Sequence, residues 1–345
     1  MIVAVRLNKK HPFYQKDLEN ILLTEGVDSL RGKSFLVTGA TGLIGVHLID
    51  ALMLLGDVKV YVVGRNKNKA LIRLGEYFNS ANFVFIEQDV FQSFPDDLQA
   101  DYVVPLASNT HPMAYSNYPV ETIMTNVKGA EHALELARRC NAVVLYPSSV
   151  EVYGNSDRPN PIAEDYTGNL NLSTARACYT ESKRVCEAMC QSYLAEFGVD
   201  VKIARLSRVL GPTMLESDSK ASSQFIKNAL ACEDVVLKSK GDQLFSYTYV
   251  TDAVAAMLFI LKYGELGGAY NISNENCNVR LKDFAQVCAD YAGKKVVYDL
   301  PSDAESKGYS VVMNAVLDNS RLKVLGFVPR YDFVDAVNRT IEILK

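Results

Sequence analysis

Tyr179 and Lys183 stand four residues apart in the run Cys178-Tyr179-Thr180-Glu181-Ser182-Lys183, a spacing that projects a phenol and an ammonium from one face of a helix. A cation beside a tyrosine favours the phenolate and lowers a pKa otherwise about 10, so that the oxygen exchanges a proton with a substrate hydroxyl near neutrality. This spacing alone is common by chance. It gains weight from an upstream run, Thr38-Gly39-Ala40-Thr41-Gly42-Leu43-Ile44-Gly45, placed where an apolar strand stops and a helix begins. In such a turn Gly39 permits backbone angles closed to other residues, Gly42 lets the main chain approach a pyrophosphate, and Gly45 lets helix and sheet pack closely. Thr41, Leu43 and Ile44 complete the turn, and the helix amino terminus offers unpaired N–H groups to phosphates. The two features together predict a bound dinucleotide and proton transfer to or from a hydroxyl.

These residues need a frame. Ser34 to Thr38 reads as a strand, Leu43 to Leu55 as a helix closed by Gly56, and Val58 to Val63 as a second strand, which together make a βαβ opening. The rhythm continues with a helix near 69–78, strands at 83–87 and 102–106, a helix near 120–139 and a strand at 142–146. Further on, 179–197 reads as a helix, 201–206 as a strand and 223–232 as a helix. Strands alternating with helices of this length predict an α/β protein with a Rossmann-type, doubly wound parallel sheet. Residues 1–32 read as an N-terminal extension with a helix around Asp17 to Thr24. Residues 33–206, with a returning stretch at about 246–273, read as the dinucleotide-binding domain, and 207–245 with 274–345 as a smaller substrate-binding lobe.

The choice between NAD and NADP turns on the end of the second strand. A carboxylate there commonly accepts hydrogen bonds from the adenosine ribose of NAD, but this strand ends Val63-Gly64-Arg65-Asn66. A guanidinium at Arg65 suits a 2′-phosphate, which leans the reading towards NADP; an arginine stacked on adenine or facing solvent is the plainer alternative. Asp89 and Val90 follow the third strand, where Asp89 either takes the adenine amino group or is an ordinary solvated loop residue.

The chain resembles the extended short-chain dehydrogenase/reductases, the NAD-dependent epimerase/dehydratase family, from Gly32 to about Arg330. The resemblance is carried by TGATGLIG and YTESK above all, then by PLASNTHP from Pro105, Asn126 before Gly129, PSSVEVYG from Pro147, ARLSRVLGP from Ala204, YVTDAV from Tyr249, YNIS from Tyr270 and LDNSRLKVLGFVP from Leu317. It implies that Ser149 hydrogen-bonds the reacting sugar hydroxyl and completes a Ser149/Tyr179/Lys183 set, although Ser149 also suits a simple strand-end cap. It further implies that Lys183 holds the nicotinamide ribose and that Leu106, Ala107, Ser108 and Asn126 line the cofactor, with Ser108 reaching the substrate.

Within the family the local likeness is to UDP-glucuronate decarboxylases, on Gly168-Asn169-Leu170-Asn171, Arg176-Ala177-Cys178-Tyr179, Glu181, Lys183-Arg184 and Glu187. Glu151 matches a glutamate that these enzymes and sugar 4,6-dehydratases carry, and is read either as a base or electrostatic partner or as one half of an ion pair. Val150 replaces the acid that dehydratases place before it. Arg208 stands where the family usually has a substrate-binding asparagine, and Phe245 where it usually has the arginine that holds the diphosphate. Arg208, with Lys220 as a second candidate, therefore offers charge to a phosphate or carboxylate of the substrate unless both are surface residues. The resemblance implies a nucleotide-sugar epimerase, dehydratase or decarboxylase working by transient hydride transfer. An NADPH-dependent reductase of a nucleotide-linked keto-sugar or ketose is the alternative, and a non-catalytic dinucleotide-binding protein a third. It also implies a homodimer formed through helices near 120–139 and 179–197.

Composition narrows the field from the other side. A chain of 345 residues, 48% hydrophobic, buries a large core. A formal net charge of −4 with no dense Lys/Arg block argues against a nucleic-acid partner. No stretch reaches the roughly 20 apolar residues of a membrane span, and the opening residues lack the pattern of a secretory signal, so the expectation is a cytoplasmic protein. The seven cysteines are scattered and predict reduced, partly buried thiols; neither their spacing nor the few histidines predict a metal site.

Overall fold

The computed structural model describes residues 6–110, 116–154, 161–300 and 314–345. The helices are α1 (Pro12–Leu22), α2 (Leu43–Leu55), α3 (Lys67–Leu74), α4 (Pro119–Cys140), α5 (Ala177–Phe197), α6 (Ala221–Leu230), α7 (Val250–Tyr263), α8 (Leu281–Ala292), α9 (Ser320–Val324) and α10 (Phe333–Leu344). The strands are β1 (Ser34–Thr38), β2 (Lys59–Gly64), β3 (Phe83–Glu87), β4 (Tyr102–Pro105), β5 (Val143–Ser149), β6 (Val201–Leu206), β7 (Arg208–Leu210), β8 (Val235–Leu237), β9 (Leu244–Tyr249), β10 (Ala269–Ile272), β11 (Asn278–Arg280), β12 (Val296–Tyr298) and β13 (Asn314–Ala315). The imidazole of His11 caps α1, accepting from Phe13 N at 3.2 Å, and Asn66 caps α3, accepting from Lys69 N at 2.8 Å.

Seven strands form one sheet in the order β10-β6-β5-β4-β1-β2-β3, and all its pairings are parallel. Valine dominates β1, β2 and β4 because both faces are covered by helices; α4 and α5 pack on one side, and α2 and α7 on the other. The doubly wound architecture predicted from the alternation of elements is therefore present. Strand order reverses between β1 and β4, and the loops leaving their carboxyl ends flank the crevice where such sheets bind ligands.

The later segments divide between sheets. In the stretch 246–273, β10 joins the large sheet beside β6 and α7 packs beneath it, whereas β9 pairs with β7, β11 and β13 in a smaller sheet. The alternation in Leu244–Tyr249 suits either sheet; the β7 pairing, Arg208 with Tyr247 and Leu210 with Tyr249, places it in the smaller one. Strands β8 and β12 make a separate parallel pair.

Residues 12–22, read from sequence as part of an appendage, belong to the principal core. Tyr14, Leu18 and Ile21 of α1 are buried there, and the helix packs on α2, α7 and α10.

Candidate active site

The turn after β1 is built as its glycines require. Gly39 has φ +66°, and a Cβ on it would lie 2.6 Å from the Ala107 nitrogen and the Leu106 carbonyl carbon. A Cβ on Gly45 would lie 2.5 Å from the Gly39 carbonyl oxygen. Any side chain at either position would force apart β1, the β4 loop or α2. Thr38 fastens the same junction by accepting from the Ala107 N–H at 3.0 Å. Gly42 is the residue before α2 and supplies no side-chain cap; its own N–H donates to the Gly39 carbonyl at 3.0 Å, and Leu43 and Ile44, following Thr41 and Gly42, place main-chain N–H groups at the helix start.

Two buried polar atoms, Ser108 Oγ next to this junction and Asn126 Oδ1 on α4, have no partner among the described residues. The Asn126 amide is oriented by donating to Ser182 Oγ at 2.8 Å, which in turn donates to the Tyr179 carbonyl at 2.9 Å. Orphaned buried polar groups are costly. Acceptors of this kind suit a ligand rich in hydroxyl and amide donors, and the uncapped helix start suits its phosphates, so this end of the cleft fits a dinucleotide.

Tyr179 and Lys183 lie on α5, both buried, at the spacing expected of a shared helical face. Ser149 ends β5 and serves in two ways. Its hydroxyl accepts from the Glu151 N–H at 3.3 Å and stands near enough to the Tyr179 phenol to lower its pKa. The strand-end cap is present, and the hydroxyl that makes it is the one beside the Tyr179 phenol.

The expected lowering of the phenol is not what the structure gives. Burial pushes Tyr179 up to about 12, the Ser149 hydroxyl opposes that, and the negative charge of Glu151 adds to it. Lys183 sends its ammonium to the Pro147 carbonyl at 2.7 Å and over the Tyr146 ring, 4.8 Å from the centroid. Burial lowers its pKa to about 8, against the raising effects of Cys186 and Glu187. Desolvation therefore moves the two groups apart, the phenol upwards and the ammonium downwards, by penalising the charged form of each.

The remaining sequence candidates divide into those that meet and those that do not. Arg208 Nη1 lies 4.0 Å from Glu151 Oε1, and the Arg208 guanidinium lies 3.8 Å from the centroid of the Phe245 ring. Lys220 has its ammonium on Asp218 at 3.2 Å rather than on this group. Arg65 is exposed and lies 3.3 Å from Glu121 and 3.6 Å from Asp89. Asp89 also accepts from the Phe91 N–H at 3.0 Å, and Val90 is buried with its carbonyl 2.9 Å from the His132 ring. Of the PLASNTHP run, His111 and Pro112 lie outside the described residues.

One supporting network escaped the sequence reading. Arg205 of β6 forms a two-pronged pair with Glu187 of α5, Nη2 to Oε2 at 2.7 Å and Nε to Oε1 at 3.0 Å. Ser148, next to Ser149, donates to the same carboxylate at 2.5 Å, and Arg205 also reaches the Tyr153 phenol at 3.0 Å. This network locks α5, with Tyr179 and Lys183, to the strand end that carries Ser149. The available signal was an arginine, with Lys202, inside a strand of the large parallel sheet, where an unpaired charge is not tolerated.

Comparison with known proteins agrees with this geometry. The NAD dependent epimerase/dehydratase family matches the chain over residues 35–273. A UDP-glucuronic acid decarboxylase 1 of Xenopus tropicalis is 30% identical over 318 residues, spanning 91% of this chain and 72% of the relative. Its counterpart in Danio rerio is 32% identical over 317 residues, spanning 90% and 72%. Among solved structures, a UDP-glucuronic acid 4-epimerase from Bacillus cereus, in complex with UDP-glucuronic acid and NAD, superposes with a TM-score of 0.78 over 90% of this chain and 98% of that one. At 21% identity the last likeness speaks for the fold.

Proposed function

The chain belongs to the NAD dependent epimerase/dehydratase family, and from that premise we propose that it modifies a UDP-linked sugar, with UDP-glucuronic acid as the favoured substrate, through Ser149, Tyr179 and Lys183. The observation that carries the assignment is the Ser149 hydroxyl beside the buried Tyr179 phenol at the carboxyl edge of β5, with a buried lysine one helical turn further on. NAD, when bound, supplies the hydride acceptor and returns the hydride, so no net redox change is needed. Ser149 holds the sugar hydroxyl, Tyr179 takes its proton, and Lys183 provides the positive charge that favours the phenolate. Glu151 stands as base or electrostatic partner beside the carbon next to the one oxidised. With Val150 in place of an acid, loss of water has no proton donor at that position, which favours decarboxylation or epimerisation over dehydration.

NAD rather than NADP follows from Arg65. Its guanidinium already faces Glu121 and Asp89, so a 2′-phosphate placed on it would enter the field of two carboxylates. The lean towards NADP, and with it the separate NADPH-reductase reading, loses the observation that supported it. Arg65→Ala is expected to change NAD affinity less than about threefold, within the small worth of an exposed charge, measured by fluorescence titration. A tenfold loss of NAD would reinstate Arg65 as a cofactor ligand.

The direct test is to denature the purified protein, identify the dinucleotide released, and incubate the intact protein with UDP-glucuronic acid under mass spectrometry. NAD in the extract and loss of carbon dioxide or a C4 epimer in the product support the reading. No released dinucleotide and no conversion of UDP-, dTDP-, GDP- or CDP-linked sugars would overturn it.

A pH dependence follows from the two shifts. The pair accepts a proton from the sugar only after losing one of its own; that first loss falls at about 8 and belongs to the pair, whose phenolate–ammonium form, with Lys183 still charged, is the one that takes the sugar proton. kcat/KM should therefore rise with pH up to about 8 and then level off. A bound oxidised nicotinamide, itself cationic, moves that limb lower. A limb above pH 9, or a flat profile between pH 5 and 9, removes the pair from the proton-transfer step.

The homodimer belongs to the same proposal. Val120, Ile123 and Met124 of α4 and Val185 and Phe197 of α5 are exposed apolar side chains, on the helices expected to pair across a two-fold axis. Sedimentation of a monomer at micromolar concentration would refute it. Among the described residues no helix is long and apolar enough to cross a membrane. The free cysteines suit the reducing conditions of a cytoplasm.

A further inference from the structure

Three residues distant in sequence meet at the reacting end of the cleft. Arg208 opens β7, two residues beyond Leu206, the β6 residue in register with Ser149. Its guanidinium lies flat enough on Phe245 to bring the two within 3.8 Å, and Phe245 is itself buried, so the ring is a fixed platform. Stacking of this kind sets the plane of a guanidinium and is worth more in a partly desolvated site than on an open surface. Among the described residues Nε is buried without a partner while the side chain as a whole keeps 31% exposure, so the stem is sunk and the charged end is left accessible. The contact with Glu151, at 4.0 Å, is too long for a hydrogen bond. Glu151 offsets the charge without occupying the two-pronged donor set that a guanidinium offers to a carboxylate or phosphate.

The position selects between those two anions. The Glu151 N–H bonds the Ser149 hydroxyl at 3.3 Å and its carboxylate lies 4.0 Å from Arg208, so Arg208 stands by the end of the sugar that Ser149 and Tyr179 would hold. The diphosphate of the same substrate lies on the opposite side of the sugar ring. A sugar carboxylate at the reacting end would sit close to Glu151, and two carboxylates share a site only when a cation lies with them or one is protonated. We infer that Arg208, aimed by the Phe245 ring, is the specificity-determining residue that binds the carboxylate of a uronic-acid sugar and holds it beside Glu151. This rests on the nucleotide-sugar reading above and adds to it the residue that reads the acid.

Calorimetric titration of the NAD-loaded protein with three ligands separates the possibilities: UDP-glucuronic acid, UDP-xylose, which is the same molecule without its carboxyl group, and UDP alone. Arg208→Gln is expected to weaken UDP-glucuronic acid about 10- to 100-fold, the worth of a charge-assisted hydrogen-bonded pair, and to change UDP-xylose and UDP less than about threefold. Phe245→Leu, which keeps the charge and removes the platform, should weaken UDP-glucuronic acid alone by a smaller factor. Retained UDP-xylose binding shows that each variant is folded. An equal loss for all three ligands assigns the cation to the diphosphate and overturns the inference, as does no loss for any. Wild-type protein that binds none of the three fails the nucleotide-sugar reading itself, a result distinct from a wild type that binds all three and a variant that loses them alike.

Discussion

Tyr179→Phe is expected to reduce kcat by about 10²- to 10⁴-fold, the usual contribution of a positioned acid–base group, with NAD still bound and KM nearly unchanged. The substitution removes one oxygen from a buried ring and nothing else. Ser149 keeps its bond from the Glu151 N–H, Ser182 keeps its bond to the residue-179 carbonyl, and Asn126 stays oriented by Ser182, so the cofactor end of the cleft is undisturbed. Phenylalanine is no larger than tyrosine and suits an apolar surrounding, and a lost hydrogen bond costs about 1 kcal/mol. A merely structural tyrosine would therefore show a small fall in melting temperature and ordinary turnover. The measurement is single-turnover conversion of the nucleotide sugar by mass spectrometry, alongside the dinucleotide retained after gel filtration. Undiminished turnover would take Tyr179 out of the reaction.

The parts of this site that were legible in sequence are those whose logic is local. The Gly39–Gly45 turn, the β1–α2–β2 unit around it and the Tyr179/Lys183 spacing each follow from contacts within one or two elements, and the structure places them as the spacing implies. What depended on burial was not legible. The lowering expected of Tyr179 reckoned with a nearby cation and not with burial, whereas the phenol lies inside the protein, where desolvation outweighs the opposing effect of Ser149. Lys183 likewise finds its partners, the Pro147 carbonyl and the Tyr146 ring, on β5. Arg208 and Phe245 looked like one charge gained and another lost; only the β7–β9 pairing shows that they form one stacked unit beside Glu151. The placement of β9 in the smaller sheet is another case, because a strand with alternating residues does not specify its neighbour.

The N-terminal segment is where the sequence reading and the packing part furthest, and Asp17→Ala is expected to cost about 3–5 kcal/mol as a result. Asp17 on α1 is fully buried and accepts from Tyr249 at 2.6 Å, Tyr331 at 2.8 Å and Arg339 Nη2 at 2.7 Å. One carboxylate thus joins α1 to β9, to the approach to α10 and to α10 itself. Removing it strands a guanidinium that is only 12% exposed, with Asp335 at 4.0 Å as its nearest remaining acid, and deprives two buried phenols of their acceptor. Breaking a buried pair by deleting one partner is costly for this reason, whatever the net worth of the intact pair. Asp17→Asn, which keeps the shape and one acceptor, should cost less than the alanine variant, and the order of the two in urea denaturation checks the mechanism. A loss below about 1 kcal/mol for alanine would mean that the network relaxes onto other partners. Because Tyr249 ends the strand that carries Phe245, the same change should loosen the platform beneath Arg208 and weaken UDP-glucuronic acid more than NAD, an effect that a detachable N-terminal appendage would not have.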